Sequence, residues 1–294
     1  MNGLWWRHNL LFRPTSHLPA AAAYRVASLI GRRDARRQAA THGAIVNAFR
    51  MVENALPATA CQQQRWANAS FGMMARESMD VFRLGRLTAH TAANVLSLEG
   101  LETLDAARTD GRGVIVVMAH FGRLIMPLAG IGLSGRRLGM LTMSVDEDNQ
   151  AISALERRYL NRKIATLLGH MGGEWISLND DLRKLHRALA QGASMVMLLD
   201  AWMPHFGRHV QLPFLGGRLS VPSGIARIAR RTGARLVYCS AHEQGWRILG
   251  RLRPLSDAPD EALAQAVHYL ESDIRDTPEQ WWQWPILERM WSPV

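Results

Sequence analysis

The stretch that decides the fold is Gly113-Val-Ile-Val-Val-Met-Ala-His-Phe-Gly-Arg123. Residues 114–119 within it are all apolar, and glycines stand close to either end of the run. A continuous apolar run of this length between glycines predicts a strand that is buried on both faces. His120 follows the run directly, so the sequence predicts a titratable side chain where this strand ends and a helix begins.

Strand-like and helix-like patterns alternate along the chain around this segment. Further strands are predicted at residues 95–98, 138–143, 175–177, 194–199, 235–240 and 247–252. Helices are predicted at residues 100–107, 121–131, 152–168, 181–190, 223–232 and 261–275. This alternation predicts an α/β domain over residues 95–294, with a mostly parallel central sheet flanked by helices on both faces.

Residues 1–94 form a predicted helical N-terminal region. Trp5 and Trp6 stand beside Arg7 near its start, and four arginines cluster within residues 32–37. Tryptophan with arginine near a terminus is the composition of a helix that lies in a membrane interface. An ordinary helix that packs its aromatic side chains on the core has the same composition, so the sequence leaves both interpretations open.

The charge balance points to an anionic partner. The 294-residue chain has 35 Lys and Arg against 25 Asp and Glu, a net charge of +10, and its only lysines are Lys163 and Lys184. Such a surface suits phospholipid headgroups or an acidic carrier protein, while the preference for arginine also fits a GC-rich genome. Nucleic acid is not expected as a partner, because the basic residues are not interleaved with aromatic residues in a known binding motif.

The sequence predicts neither a metal site nor a bound cofactor. Its histidines lack the spacing of zinc ligands, and no glycine-rich nucleotide loop is present. Cys239 and His242 have the spacing of a nucleophile and a base, but a mid-strand cysteine is most often a small buried apolar residue. No stretch of about 18 uncharged apolar residues occurs, so a membrane-spanning helix is not expected.

Three polar clusters follow predicted strands. Ligands of parallel α/β sheets collect outside the carboxyl ends of the strands, where these clusters are expected to lie. The clusters are His120 with Arg123, the acidic loop at residues 146–148, and Asp200 with Arg208 and the histidines at 205 and 209. An imidazole can accept a proton from an alcohol, and backbone N–H groups at a helix start can hold an oxyanion.

Several segments together resemble the bacterial lipid A acyltransferases, the lauroyl and myristoyl transferases of the glycerolipid acyltransferase superfamily. Their order and spacing match that family from about residue 95 to residue 291. The segments are Leu98-Glu-Gly-Leu-Glu-Thr-Leu104, Gly113 to Gly122, Leu212-Pro-Phe-Leu-Gly-Gly217, Pro222 to Ala234, and Ile274-Arg-Asp-Thr-Pro-Glu-Gln-Trp-Trp-Gln-Trp284. The resemblance implies the glycerolipid acyltransferase fold for the α/β domain.

The resemblance also implies a mechanism centred on His120. In the family, a histidine and an acidic residue five positions later form a pair that deprotonates a glycolipid hydroxyl, which attacks an acyl thioester. Here the fifth position is Ile125, and Arg123 stands where asparagine is common. Either another carboxylate replaces the missing one, or His120 works alone, or the chain is an inactive relative. Asp200 is the first candidate replacement, ahead of the acidic loop at Asp146 and Glu147.

The resulting hypothesis is a peripheral acyltransferase at the cytoplasmic face of the bacterial inner membrane. Its donor would be acyl carrier protein or acyl-CoA, and its acceptor a lipid or glycolipid. His120 and Asp200 are the predicted catalytic residues, within hydrogen-bond reach of each other, and His120 should line the main cleft. The predicted substrate-binding residues are Phe121, Gly122, Arg123 and Arg208. The alternative is an inactive lipid-binding or assembly protein that kept the fold.

Overall fold

The computed structural model describes residues 11–147, 152–202 and 208–294 of the chain. Its strands are β1 (Leu96–Glu99), β2 (Val114–Met118), β3 (Leu138–Thr142), β4 (Gly172–Ser177), β5 (Ser194–Leu198), β6 (His209–Phe214), β7 (Gly217–Pro222), β8 (Arg235–Gln244), β9 (Arg247–Pro254) and β10 (Trp291–Pro293). Seven of them form one sheet in the order β1-β9-β8-β2-β5-β3-β4, and β10, β7 and β6 form a second, small sheet.

Helices cover both faces of the large sheet. They are α1 (Arg13–Thr15), α2 (Ala20–Arg37), α3 (Ala39–Met51), α4 (Ala60–Leu84), α5 (Ala89–Ala92), α6 (Leu101–Ala107), α7 (Ile125–Leu133), α8 (Ala154–Met171), α9 (Arg183–Ala190), α10 (Gly224–Thr232), α11 (Pro259–Asp276) and α12 (Leu287–Met290). Short 3-10 turns lie at Pro278–Gln280 and Trp284–Ile286. The predicted α/β class with a helical N-terminal region is confirmed.

Strand β2 lies in the middle of the sheet and is buried on both sides, as its apolar run predicts. It pairs in parallel with β5 and with β8, so that Val116 faces Val196 on one side and Val237 on the other. The side chains of Ile115 and Val117 join the core beneath α9, α10 and α11, whereas those of Val114 and Val116 join the core beneath α7 and α8. The two layers of core explain why the run has no alternating polar positions.

The sheet is mostly parallel, with one antiparallel pair. Strands β8 and β9 form a hairpin, which reverses the direction of β9 relative to β2. The β6–β7 hairpin was not predicted. Its two-residue turn consists of Leu215 and Gly216, which both have positive φ, at 46° and 72°. Two successive residues of that kind are what the tightest hairpin turns require, and Gly216 adopts the conformation without strain.

The N-terminal helices pack on the α/β domain. Phe49 of α3 lies 4.5 Å from the ring of Trp284, and Phe71 of α4 joins the same core as Ile115 of β2. Trp5 and Trp6, on which the membrane-interface interpretation rests, lie outside the described residues. No helix in the described ranges is both long enough and apolar enough to span a membrane.

Candidate active site

The carboxyl ends of β2 and β5 bring together the two residues that the sequence singled out. In the parallel register Met118 lies beside Leu198, so His120 and Asp200, each two residues further on, leave the sheet side by side. The imidazole Nδ1 of His120 lies 2.9 Å from Oδ1 of Asp200. The predicted contact is therefore present, and its acid comes from a neighbouring strand rather than from the helix after His120.

The Asp200 carboxylate is sealed from solvent and surrounded by N–H donors. Its exposure is 0%. The backbone N–H of His120 reaches both carboxylate oxygens at 3.0 Å, and the indole Nε1 of Trp281 donates to Oδ2 at 2.9 Å. Both carboxylate oxygens therefore serve as hydrogen-bond acceptors, and the carboxylate lies directly against the imidazole.

This arrangement selects one tautomer of His120. An ionised carboxylate only accepts hydrogen bonds, so Nδ1 of His120 must carry the proton that points at Asp200. The lone pair of the neutral ring is then on Nε2, and no residue in the described ranges hydrogen-bonds that atom. The His120 side chain is 25% exposed. The geometry accordingly presents a basic nitrogen toward solvent and a charged partner behind it, which is what general-base catalysis needs.

Residues 280–284, called here the C-terminal segment, form one wall of the site, which local sequence patterns did not predict. The backbone N–H of Trp282 donates to the carbonyl of His120 at 2.8 Å, and its ring lies 5.6 Å from the imidazole. Gln283 donates through Nε2 to the carbonyl of Asp200 at 2.9 Å; the same amide nitrogen lies 3.1 Å from Nδ1 of His120 but cannot donate to it while Nδ1 carries the proton. Its sequence signals were the resemblance of residues 274–284 to the family and the three tryptophans among residues 281–284.

Phe121 and Gly122, predicted to contact substrate, instead pack into the protein. Phe121 is buried and forms a β-bridge with Trp281. Gly122 has a φ of 59°, and a Cβ at this position would lie 1.8 Å from the carbonyl oxygen of Ala241. The glycine is required here because β8 approaches closely, so the structure offers a packing reason for it and none that involves a substrate.

The helix after β2 begins later than predicted, at Ile125 rather than at residue 121. The backbone N–H of Gly122 donates to the carbonyl of Gln280 at 2.8 Å, and that of Phe121 to the carbonyl of Ala119 at 2.7 Å. These two N–H groups are therefore not free to hold an oxyanion. Residues 120–124 form a turn, called here the His120 turn, that the C-terminal segment holds in place.

Arg123 was predicted to bind substrate, but its side chain is not accessible to a ligand. Its side chain is fully buried. Its guanidinium donates to both carboxylate oxygens of Asp80, through Nε at 2.7 Å and Nη2 at 2.5 Å, and through Nη1 to the carbonyl of Trp246 at 3.1 Å. Burial lowers the pKa of Arg123 and the charge of Asp80 raises it, with a net rise. The arginine is a structural partner of α4 in this geometry.

The remaining candidates lie apart from His120 in the described ranges. Arg208 is exposed, and its backbone carbonyl accepts hydrogen bonds from Ser223 at the start of α10. Asp146 is hydrogen-bonded to Ser144. Cys239 is buried, and burial raises the pKa of its thiol to about 12, which argues against a nucleophile. His205 lies outside the described residues.

Two cavities of about 300 and 310 Å³ lie elsewhere on the described part of the protein. One is at the opposite end of the sheet, near Arg235 and Pro254, and the other lies between Ser16, Arg83 and Met126. Neither is lined by His120, so the expectation that His120 lines the main cleft is not confirmed.

The family model described as bacterial lipid A biosynthesis acyltransferase matches residues 3–291 of this chain. No curated protein sequence matches it. The matched range contains His120, Asp200 and the C-terminal segment that contacts both.

Proposed function

Because the chain belongs to the bacterial lipid A biosynthesis acyltransferase family, we propose that it moves a fatty acyl group from an acyl thioester to a lipid or glycolipid acceptor. The acceptor group is a hydroxyl or an amine, and His120 is its general base. The donor is acyl carrier protein or acyl-CoA. The observation that carries this proposal is the hydrogen bond between Nδ1 of His120 and Asp200, because it leaves Nε2 as the only basic nitrogen of the ring.

The proposed reaction needs only these two side chains for its proton transfers. Nε2 of His120 takes the proton of the acceptor hydroxyl while the oxygen attacks the thioester carbonyl carbon and forms a C–O bond. Asp200 remains ionised and stabilises the imidazolium through the Nδ1 hydrogen bond. The tetrahedral intermediate then breaks its C–S bond, and the imidazolium returns the proton to the leaving thiolate.

Asp200 can take the role of the acidic residue that the family has at the position of Ile125. Ile125 is fully buried at the start of α7 and carries no ionisable group. A lone imidazolium in a site of this kind would lack a counter-charge, and the Asp200 carboxylate supplies one at 2.9 Å. Of the three explanations that the sequence left open, replacement of the acid by a carboxylate from another strand is therefore the one we adopt.

The direct test is a transfer assay with purified full-length protein. Acyl carrier protein charged with a ¹⁴C-labelled fatty acid, or the matching acyl-CoA, is incubated with an extract of bacterial envelope lipids. The proposal expects labelled lipid products that depend on the protein. If no label is transferred while the protein still binds the lipid extract, the proposed activity is wrong, and the inactive lipid-binding interpretation replaces it.

We further propose that the protein works at the cytoplasmic face of the bacterial inner membrane, attached peripherally to anionic lipid. Helix α2 supports this because its arginines at positions 25, 32, 33, 36 and 37 are exposed. Leu29 on the same helix is 61% exposed. Basic side chains beside an exposed aliphatic residue suit an anionic headgroup surface, where each arginine contributes about 1 kcal/mol.

Reversing two of these charges should weaken vesicle binding. The double variant Arg32→Glu and Arg36→Glu is expected to bind phosphatidylglycerol vesicles at least ~30-fold more weakly, from ~1 kcal/mol per arginine removed, and high salt should reduce the difference. Co-sedimentation with vesicles measures the effect. The matched control Arg183→Glu and Arg187→Glu makes the same charge change on the exposed side of α9. Equal loss in both double variants would show that α2 has no special role.

A further inference from the structure

Helix α4 of the N-terminal region carries three charged residues, Arg76, Glu77 and Asp80, that form ion pairs with other segments of the protein. Arg76 forms an ion pair with Glu243 at the end of β8, with its Nη2 2.5 Å from Oε2. Glu77 bonds Lys163 of α8 at 2.8 Å. Asp80 bonds Arg123 in the His120 turn. Glu77 and Asp80 are buried, and the side chain of Glu243 is only 6% exposed. One helix is thus bound through charged pairs to three other segments of the protein.

The Asp80–Arg123 pair is the most constrained of these links. Both side chains are fully buried, and the two parallel N–H···O bonds fix the guanidinium in one plane. Tyr24 of α2 adds a third contact, because its hydroxyl donates to Oδ1 of Asp80 at 2.7 Å and its ring lies 4.0 Å from the guanidinium carbon. Arg123 is three residues from His120, so this cluster fixes the far end of the His120 turn.

The second link reaches the imidazole through a tryptophan. The ammonium of Lys163 lies 5.3 Å from the ring of Trp282, and that indole donates through Nε1 to the carbonyl of Gly122 at 2.8 Å. Trp282 also bonds the carbonyl of His120 through its backbone. The His120 turn is thus held from one side by Asp80 and from the other by the Lys163–Trp282 contact, and both begin on α4.

Stability alone does not explain a buried pair of this kind. Two charges removed from water lose solvation that their attraction roughly offsets, so a well-packed apolar pair is often as stable or more so. A bidentate ion pair adds geometric specificity. Its two parallel hydrogen bonds form in only one orientation of the turn, whereas an apolar pair can pack in several. Asp80 and Arg123 therefore fit a requirement for orientation better than a requirement for stability.

We propose that Asp80 is a positioning residue for His120: its two hydrogen bonds to Arg123 fix the His120 turn so that Nδ1 stays on Asp200 and Nε2 faces the acceptor. Helix α4 is then part of the reactive centre, not a separate membrane-binding extension. The inference rests on the proposed function for its kinetic consequence and on geometry alone for its effect on the imidazole.

The test replaces the charged pair with an apolar pair, in the double variant Asp80→Leu and Arg123→Met of the full chain. We expect the variant to fold, with circular dichroism like that of the wild type. Its kcat should fall roughly ten- to a hundredfold, as small misplacements of a catalytic group do, while KM for donor and acceptor changes less than about threefold. A purely structural role predicts wild-type kcat in any variant that folds.

A second measurement does not need the transfer assay. The ¹⁵N resonances of the His120 ring, assigned by their absence in His120→Ala, should report a single Nδ1-protonated tautomer in the wild type and a mixture of states in the double variant. The control, Asp105→Leu and Arg136→Met, removes a surface pair joined at 2.5 Å and should match the wild type in both measurements. If the resonances change in the double variant but the wild-type protein transfers no acyl group, the proposed function is wrong and the positioning role still holds.

A wild-type kcat together with a wild-type tautomer in the double variant would overturn the positioning role. If the double variant does not fold, Asp80→Asn is measured in its place, because it keeps the size of the side chain and one acceptor oxygen. Asp80→Asn with an unchanged tautomer and unchanged kcat would overturn the proposal equally.

Discussion

Acyl transfer should fall by about 10³-fold or more when His120 is replaced by alanine, because the substitution removes the proposed general base. Nδ1 is held by Asp200, whereas Nε2 has no hydrogen-bond partner among the residues that the structure describes. Without it, the hydroxyl must lose its proton to water in the transition state. The measurement is the initial rate of label transfer at saturating donor and acceptor.

The variant should remain folded, which separates this effect from loss of structure. The side chain of His120 is partly exposed, and the backbone contacts of this residue to Asp200 and Trp282 do not depend on the side chain. His268→Ala, which removes an exposed histidine of α11, is the matched control and should retain wild-type activity. Full activity in His120→Ala would show that the proposed mechanism is wrong, whatever the identity of the acceptor.

The position of this site could be predicted because its two residues belong to local patterns. The apolar run before His120 and the run before Asp200 each read as a buried strand. Parallel strands end at the same edge of a sheet, so an acid and a base that follow two such strands are brought together by the fold. That reasoning needed no knowledge of which strands are neighbours, and the β2–β5 register supplies the rest.

The surroundings of the site could not be predicted, because their partners are distant in sequence. From its neighbours in sequence, Arg123 looks like a ligand-binding arginine in an exposed loop. Its actual partner, Asp80, lies 43 residues earlier in the chain. Gly122 has the context of a glycine that admits a substrate until β8 is seen to approach it. Only the tertiary structure decides whether a polar residue after a strand faces solvent or a buried partner.

Replacing Asp200 with asparagine should reduce transfer by roughly 10²-fold or more, because neither orientation of the amide preserves the hydrogen bonds of the carboxylate. Both oxygens of Asp200 already accept from N–H groups: Oδ1 from Nδ1 of His120, and Oδ2 from Nε1 of Trp281. An amide NH₂ at the Oδ2 position would face the indole N–H, donor against donor. At the Oδ1 position it would donate to Nδ1 and drive the proton to Nε2, which removes the base.

The same substitution removes the charge that stabilises the imidazolium. The amide also cannot accept from all the N–H groups that the carboxylate accepts from, so some loss of thermal stability is expected and must be measured by circular dichroism. The ¹⁵N resonances of His120 should then show a shift toward the Nε2-protonated tautomer. Trp281→Phe is the control for packing, because it removes one donor to Oδ2 and leaves the carboxylate and its bond to Nδ1 in place. A folded Asp200→Asn variant with full activity would exclude Asp200 from the reaction and leave His120 to work alone.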